Sequence, residues 1–178
     1  MKQIETERKF IVKSPSVSIL GVQEDYTESE ITQIYLGCSD ATRRVRKRCY
    51  PDRTEYTENV KRRLSPLSVI EEENAITEEE FLRLSELIES GTSPLYKTRR
   101  TFSFAGHTVE LDFYPEWQST CILEVELASE DEELLLPEFI EIVREVTTDK
   151  SYSNHSMSRK VPKELTALVQ NAELSSKG

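Results

Sequence analysis

The chain has 178 residues, of which 37% are hydrophobic, and this is enough for one domain with a single core. Its 33 acidic and 23 basic residues give a formal net charge of -10, which argues against a general binder of nucleic acid or of anionic membranes. The sequence contains no run long enough for a spanning helix, no signal-peptide pattern and no paired cysteine spacing. We therefore expect a cytoplasmic protein with free thiols, without a nucleic-acid or membrane partner.

The first predicted strand covers residues 2–13 and carries Glu5, Glu7 and Lys9 at alternate positions. Because successive strand residues point to opposite faces, these three charges share one face of the strand. A face exposed to solvent and the lining of a charged cavity both explain this strand. The remaining strands are needed to choose between the two.

Alternating patterns and turn signals predict further strands at residues 28–37, 41–50, 54–64, 68–76, 95–104, 108–114 and 120–128. The period changes to that of a helix over residues 77–90, with Thr77 and Glu80 as a capping box and Gly91 as the stop. A short acidic helix is predicted near Ser129, and a helical tail from about residue 152.

About eight antiparallel strands, mostly in hairpins, are typical of a small closed barrel. We therefore predict an α+β fold, an eight-stranded antiparallel closed β-barrel with helices packed outside. Residues 1–172 form the single predicted domain, and residues 173–178 form a flexible tail.

The charged alternation of the first strand recurs on most of the others. The face that it defines carries the cations Lys9, Arg44, Arg46, Lys61, Arg63, Lys97 and Arg99, and the acids Glu5, Glu7, Glu71, Glu73, Glu110, Asp112, Glu124 and Glu126. The opposite face is partly apolar, so helices covering it would leave the charges to line the inside. Arginines favour a multivalent oxyanion, and carboxylates without His or Cys favour Mg²⁺ or Mn²⁺.

The opening "ETERKF" resembles the ExExK signature of the CYTH superfamily, the triphosphate tunnel metalloenzymes. The similarity continues in order through "QIYL", "RVRKR", "NVKRR", "EEENAI", "YKTRR", "ELDFY", "LEVEL" and "EVTTDKSYSN". The resemblance implies an antiparallel tunnel that binds a triphosphate together with a divalent metal. The activities of the family are inorganic triphosphatase, thiamine triphosphatase, RNA 5′-triphosphatase and class IV adenylate cyclase.

The resemblance also implies roles for individual residues. The metal ligands would be Glu5, Glu7, Glu124 and Glu126, and the catalytic acids would be Glu5, Glu7 and Asp112. The phosphate-binding cations would be Lys9, Arg44, Arg46, Lys61, Lys97 and Arg99. Arg63 joins the substrate site by its alternation, and Glu71 and Glu73 join it as acids of the fifth strand. Val69 and Ser151 stand where the family often has arginine, and Lys150 is the candidate substitute for the second.

The predicted function is divalent-metal-dependent hydrolysis of a small-molecule triphosphate, with inorganic triphosphate (tripolyphosphate) as the favoured substrate. The alternatives are class IV adenylate cyclase, thiamine triphosphatase and a non-catalytic module that binds polyphosphate or nucleotide. The metal ligands serve hydrolysis and cyclisation alike, so they do not separate these alternatives. The sequence leaves open whether the protein is a monomer or a homodimer.

Overall fold

A computed structural model describes residues 6–39, 41–63, 69–127, 129 and 132–165. At Thr6, Arg63 and residues 69–71 the description is limited to the backbone. The predicted site residue Glu5 and the predicted tail 173–178 lie outside the described residues.

Most of the regular structure is β-strand. The strands are β1 (Thr6–Lys13), β2 (Thr27–Leu36), β3 (Thr42–Cys49), β4 (Thr54–Arg63), β5 (Val69–Ala75), β6 (Leu95–Phe104), β7 (His107–Phe113), β8 (Thr120–Leu127) and β9 (Ile142–Glu145). The helices are α1 (Val17–Leu20), α2 (Glu78–Ser85) and α3 (Asn154–Arg159), and a 3-10 helix covers Lys150–Tyr152. None of the described helices has the length and apolarity needed to cross a membrane.

The predicted closed eight-stranded barrel is wrong. The described strands form one nine-stranded sheet in the order β5-β4-β3-β2-β6-β7-β8-β1-β9, with β5 and β9 at its two ends, so the sheet is not closed. The unpredicted strand is β9, which pairs antiparallel with β1 through Phe10 and Glu145. Because β8 takes the other edge of β1, both hydrogen-bonding edges of the first strand are used.

Two compact units divide the chain. The first contains residues 29–97 and 151–161, and the second contains residues 6–28, 98–150 and the described residues from 162 onward. Each unit has its own buried cluster and its own charged face.

The core of the first unit joins helix α2 to strands β2 and β3. Phe81 and Leu84 of the helix pack with Ile34, Leu36 and Val45 in one buried cluster. The capping box that the sequence predicts is present: the Glu80 amide donates to Thr77 Oγ1 at 3.1 Å, and the Thr77 amide donates to Glu80 Oε2 at 2.9 Å. The helix covers the apolar face of these strands, as the alternation predicts.

Helix α2 ends earlier than the predicted residue 90. It stops at Ser85, because the chain that follows pairs with the end of β2. The Gly37 amide donates to the Leu87 carbonyl at 3.0 Å, and the Glu89 amide donates to the Tyr35 carbonyl at 2.8 Å. Backbone groups that a longer helix would have used internally are thus used in strand-like pairing.

The core of the second unit lies between strands β1, β6, β7 and β8. It is larger than the first, and its buried members are Phe10, Val12, Leu20, Phe102, Val109, Leu111, Cys121, Leu123, Val125 and Leu127. Strands β6 and β7 are joined by Ala105 and Gly106, with φ of 50° and 83°. Positive φ at both positions is the type I′ hairpin turn, and this turn fixes the register between the two strands.

Candidate functional site

The charged face of the first unit is built by strand register. Directly opposite residues of an antiparallel pair lie on the same face of the sheet. Tyr35 lies opposite Arg44 and Gln33 opposite Arg46 across β2 and β3. Across β3 and β4, Arg44 lies opposite Asn59. The face therefore brings Arg44 and Arg46 together with polar, uncharged neighbours on both sides.

The next strand pair extends this face. Lys61 lies opposite Glu71, and Asn59 lies opposite Glu73, across β4 and β5. The register therefore places Lys61, Glu71 and Glu73 on the face that carries the two arginines. Arg44, Arg46 and Lys61 are partly exposed, and Glu73 is exposed. We call this the basic face: Arg44, Arg46, Lys61 and Lys97 with their same-face neighbours.

Helix α3 contacts the basic face, whereas the sequence predicts that the late helical segment covers the apolar face. Lys97 is buried and donates from Nζ to Asn154 Oδ1 at 3.2 Å. The His155 ring packs against the Tyr35 ring with centroids 4.6 Å apart, and its Nε2 lies 2.8 Å from Glu89 Oε2. A short acidic helix is predicted to start near Ser129, but the described residues 132–136 of that segment have no regular secondary structure.

Sequence reasoning missed the buried polar residues of the basic face. Gln33 is 0% exposed and donates to the Tyr35 hydroxyl at 2.8 Å, and Asn59 is 2% exposed. The alternation that predicts the charged face could also have found these residues. Gln33 and Tyr35 lie on either side of Ile34, and Asn59 lies two residues before Lys61, so each has the position of a residue on the charged face. Each of the two residues therefore adds a buried polar group to this face.

The charged face of the second unit is built in the same way from β1, β8, β7 and β6. Lys9 lies opposite Glu124, and Glu7 lies opposite Glu126. Across β7 and β8, Glu110 lies opposite Glu124, and across β6 and β7, Arg99 lies opposite Asp112. We call this the acidic face; its members are Glu7, Lys9, Arg99, Glu110, Asp112, Glu124 and Glu126.

Arg99 is the centre of the ion pairing on the acidic face. Its Nε donates to Asp112 Oδ1 at 2.7 Å, and its Nη2 donates to Asp112 Oδ2 at 2.7 Å and to Glu124 Oε2 at 2.9 Å. Its Nη1 donates to Glu110 Oε2. Burial alone would lower the pKa of Arg99, but Asp112, Glu124 and Glu110 raise it well above its usual value.

Lys9 is the second cation of the acidic face. Its Nζ lies 2.7 Å from Glu124 Oε1 and 3.1 Å from Glu7 Oε1. Burial opposes the charged form, but Glu124 and Glu7 outweigh it and raise the pKa of the Lys9 ammonium. Glu124 thus contacts one cation with each of its two carboxylate oxygens.

A cavity of about 160 Å³ opens on the acidic face, lined by Glu7, Thr108, Glu110, Glu124 and Glu126. Carboxylate oxygens are the donors that Mg²⁺ and Mn²⁺ prefer, so the residue types fit such a cation. Over the described ranges, no three acidic, histidine or cysteine side chains are grouped so that they could hold a metal ion. In this structure Lys9 and Arg99 set the positions of Glu124 and Glu110.

The other predicted site residues are placed only in part. Arg63 and Glu71 lie on β4 and β5, where their side chains are not described. Lys150 begins the 3-10 helix and is exposed, and Ser151, beside it, is exposed too. Val69 begins β5 opposite Arg63. Among the predicted site residues whose side chains are described, all except Lys150 belong to one of the two faces.

Comparison with solved structures finds similar chains. The crystal structure of the inorganic triphosphatase NE1496 is 27% identical, with a TM-score of 0.59, over 89% of this chain and 96% of that one. A crystal structure described as the hypothetical protein NE1496 is 26% identical, with a TM-score of 0.57, over 89% of this chain and 99% of the other. No protein-family model matches the sequence, and no curated protein is a significant match.

These similarities extend over most of both chains. The protein has a fold like that of the triphosphate tunnel metalloenzymes of the CYTH superfamily, and this confirms the resemblance that the ordered sequence motifs indicate.

Proposed function

We propose that this protein is an enzyme that hydrolyses inorganic triphosphate with the help of a divalent metal ion. The observation that carries the proposal is the similarity to the inorganic triphosphatase NE1496 across 89% of this chain. The residue types support it, because binding a triphosphate with its metal requires both cations and carboxylates.

We assign phosphate binding to the basic face. Arginine presents a planar fork of donors that matches phosphate oxygens, and Arg44 and Arg46 project from alternate positions of β3. Lys61 and Lys97 add point charges from β4 and β6. The buried amides of Gln33 and Asn59 keep the neighbouring positions polar, so the arginines are not forced against apolar surface.

We assign metal binding to the acidic face. Glu7, Glu124 and Glu126 line one cavity but are not grouped as a metal site, so they would have to turn toward a Mg²⁺ or Mn²⁺ ion to hold it together with Glu5. The ion would supply neutralisation of the charge that develops on the phosphate oxygens. The acidic face carries two cations and five carboxylates, so it does not attract a polyanion by itself. A triphosphate therefore has an electrostatic reason to need a metal ion at this face.

Glu7 is the residue that we assign to the attacking water. Its side chain is 40% exposed, and it lines the cavity of the acidic face. An ionised carboxylate within reach of a water molecule accepts its proton or orients it for in-line attack. Asp112 has 0% side-chain exposure and both of its oxygens accept from Arg99, so we assign it an indirect part in the reaction.

The test is a substrate panel with purified protein and Mg²⁺ or Mn²⁺. Tripolyphosphate, ATP and thiamine triphosphate are offered separately, and orthophosphate, cyclic AMP and pyrophosphate are measured. Orthophosphate released fastest from tripolyphosphate supports the proposal. Formation of cyclic AMP and pyrophosphate from ATP would show that the protein is an adenylate cyclase instead. Orthophosphate released fastest from thiamine triphosphate would show that it is a thiamine triphosphatase. Binding of these compounds without turnover would show that it is a non-catalytic binding module.

A further inference from the structure

Arg48 continues the row of arginines on strand β3. Arg44, Arg46 and Arg48 occupy alternate positions of a strand whose pairing with β2 and β4 is regular, so all three belong to the same face of the sheet. Two alternate positions lie about 7 Å apart along a strand, and three cover about 13 Å. The third arginine therefore doubles the length of the row that an elongated anion can follow. The resemblance to the CYTH superfamily assigns roles to Arg44 and Arg46 but none to Arg48.

The contacts of Arg48 hold its side chain in place without neutralising its charge. Its Nε donates to Ser29 Oγ at 2.9 Å, and its guanidinium carbon lies 4.8 Å from the centre of the Tyr50 ring. Within the described part of the chain, Arg48 makes no ion pair, and the bond to Ser29 is its one side-chain hydrogen bond. A guanidinium group has five N–H donors, so the donors at Nη1 and Nη2 remain for a ligand.

The residues directly opposite Arg48 do not balance its charge. Across the β2–β3 pair lies Ile31, which is apolar and buried. Across the β3–β4 pair lies Glu55, but its Oε1 accepts from Arg53 Nε at 2.8 Å. Arg48 is itself partly buried, and a partly buried charge without a counter-ion is unfavourable. An anionic group that binds at Nη1 and Nη2 would compensate this charge.

We propose that Arg48 forms a third anion-binding position on β3, which binds a phosphate group beyond those bound at Arg44 and Arg46. The planar fork of the guanidinium group donates two N–H bonds to that phosphate. The ligands of this position are linear polyphosphates longer than triphosphate, because each added phosphate extends the chain along the row of arginines. This inference rests on the proposed function, which assigns phosphate binding to the basic face, and it widens the substrate class of that face.

The first test is calorimetry without divalent metal, so that turnover does not enter the result. Linear polyphosphates of three, four and five phosphates are compared. We expect Kd for wild type to fall about tenfold or more from three phosphates to five, and Arg48→Gln to keep no more than about threefold of this fall. Lys47→Gln is the matched control, because it removes the same charge at the preceding residue. Lys47 faces the other side of β3, where its Nζ lies 5.9 Å from the centre of the Tyr56 ring, so this variant keeps the full fall.

The second test uses Arg48→Lys and guards against a glutamine variant that circular dichroism shows to be unfolded. Lysine keeps the charge but lacks the planar fork, so we expect it to lose at least about threefold of the fall in Kd. The full wild-type fall in folded Arg48→Lys would overturn the assignment of Arg48.

Three other results would also overturn this assignment. The first is a wild-type Kd that does not fall with chain length, and the second is an Arg48→Gln protein that keeps the same fall as Lys47→Gln. The third is an equal weakening by Arg48→Gln for all three lengths. Wild-type protein that releases no orthophosphate from tripolyphosphate with Mg²⁺ or Mn²⁺ would instead overturn the proposed hydrolysis, while the dependence of Kd on chain length still decides the role of Arg48.

Discussion

The basic face of the first unit and the acidic face of the second arise from the same alternation of charged residues along strands. They differ in what occupies the neighbouring positions. On the acidic face, Lys9 and Arg99 lie against carboxylates at 2.7–3.1 Å in the contacts to Glu7, Glu124 and Asp112. On the basic face, Arg44 and Arg46 lie opposite Tyr35, Gln33, Thr57 and Asn59. Alternation alone therefore does not predict which residues lie opposite a cation.

The units also differ in the cores beneath these faces, and a matched pair of substitutions tests this difference. Phe102 is 0% exposed in the larger cluster of the second unit, and Phe81 is 6% exposed in the smaller cluster of the first. We expect Phe102→Ala to lower the free energy of unfolding by about 3–5 kcal/mol, because a large cavity is left. Phe81→Ala should cost less, since helix α2 can shift to fill the space. Urea unfolding measures both, and equal losses would remove the distinction between the two cores.

A substitution at Glu126 tests the role of the acidic face without changing the buried cluster of the second unit. Its side chain is exposed at the cavity, opposite Glu7 in the β1–β8 register. We expect Glu126→Gln to lower kcat for tripolyphosphate about a hundredfold, because a metal ligand loses its charge, while the free energy of unfolding stays within about 0.5 kcal/mol. Steady-state kinetics with urea unfolding checks both parts. A rate equal to wild type would remove Glu126 from the site.

Arg44 tests the role of the basic face. Arg44→Gln should raise KM for tripolyphosphate about tenfold, which corresponds to the loss of one charge-assisted hydrogen bond. Arg43→Gln is the control, because Arg43 directly precedes Arg44 on β3, faces the other side of the sheet and contacts Glu58. Equal effects of the two variants would show that the basic face has no special part in binding.

A smaller effect is expected outside both faces, where Glu164 ties the end of the described chain to the turn between β7 and β8. Its Oε1 accepts from the amides of Ser119 at 2.6 Å and Thr120 at 2.7 Å, and its Oε2 accepts from the Gln118 amide at 3.1 Å. Burial alone would raise the pKa of this carboxyl, but the Gln118 and Ser119 amides and the Thr120 and Ser119 hydroxyls lower the pKa from the usual 4.5 to about 2.

A lowered pKa makes the contribution of Glu164 fully present above pH 4.5 and lost as the pH falls toward 2. Thermal melting between pH 6 and pH 2 should therefore show a steeper fall of Tm for wild type than for Glu164→Gln. The exposed Glu116 of the same turn provides the control Glu116→Gln. Parallel curves for all three proteins would show that the Glu164 contacts do not stabilise the fold.

Local pattern was sufficient to predict the eight longer strands and the start of helix α2. The alternation of Lys97 and Arg99, or of Glu124 and Glu126, depends only on the two-residue period of a strand. The capping box depends only on Thr77 and Glu80. Both are properties of neighbouring residues, so a single sequence contains them.

Closure of the sheet could not be predicted in this way, because it depends on which strand edges meet. The segment Ile142–Glu145 is short and lacks clear alternation, yet it pairs with β1 and adds a ninth strand. The placement of α3 against Tyr35 and Lys97 is also a tertiary property. The bidentate contact of Arg99 with Asp112 requires the β6–β7 register, which the positive φ at Ala105 and Gly106 sets.

The most direct test of the account is the initial rate of orthophosphate release from tripolyphosphate as Mg²⁺ or Mn²⁺ is titrated from zero. For a metal-dependent triphosphatase we expect no release of orthophosphate after the metal is removed with a chelator, and a rate that rises and saturates as metal is returned. Release that does not depend on metal, or no release at any metal concentration from a folded protein, would contradict it.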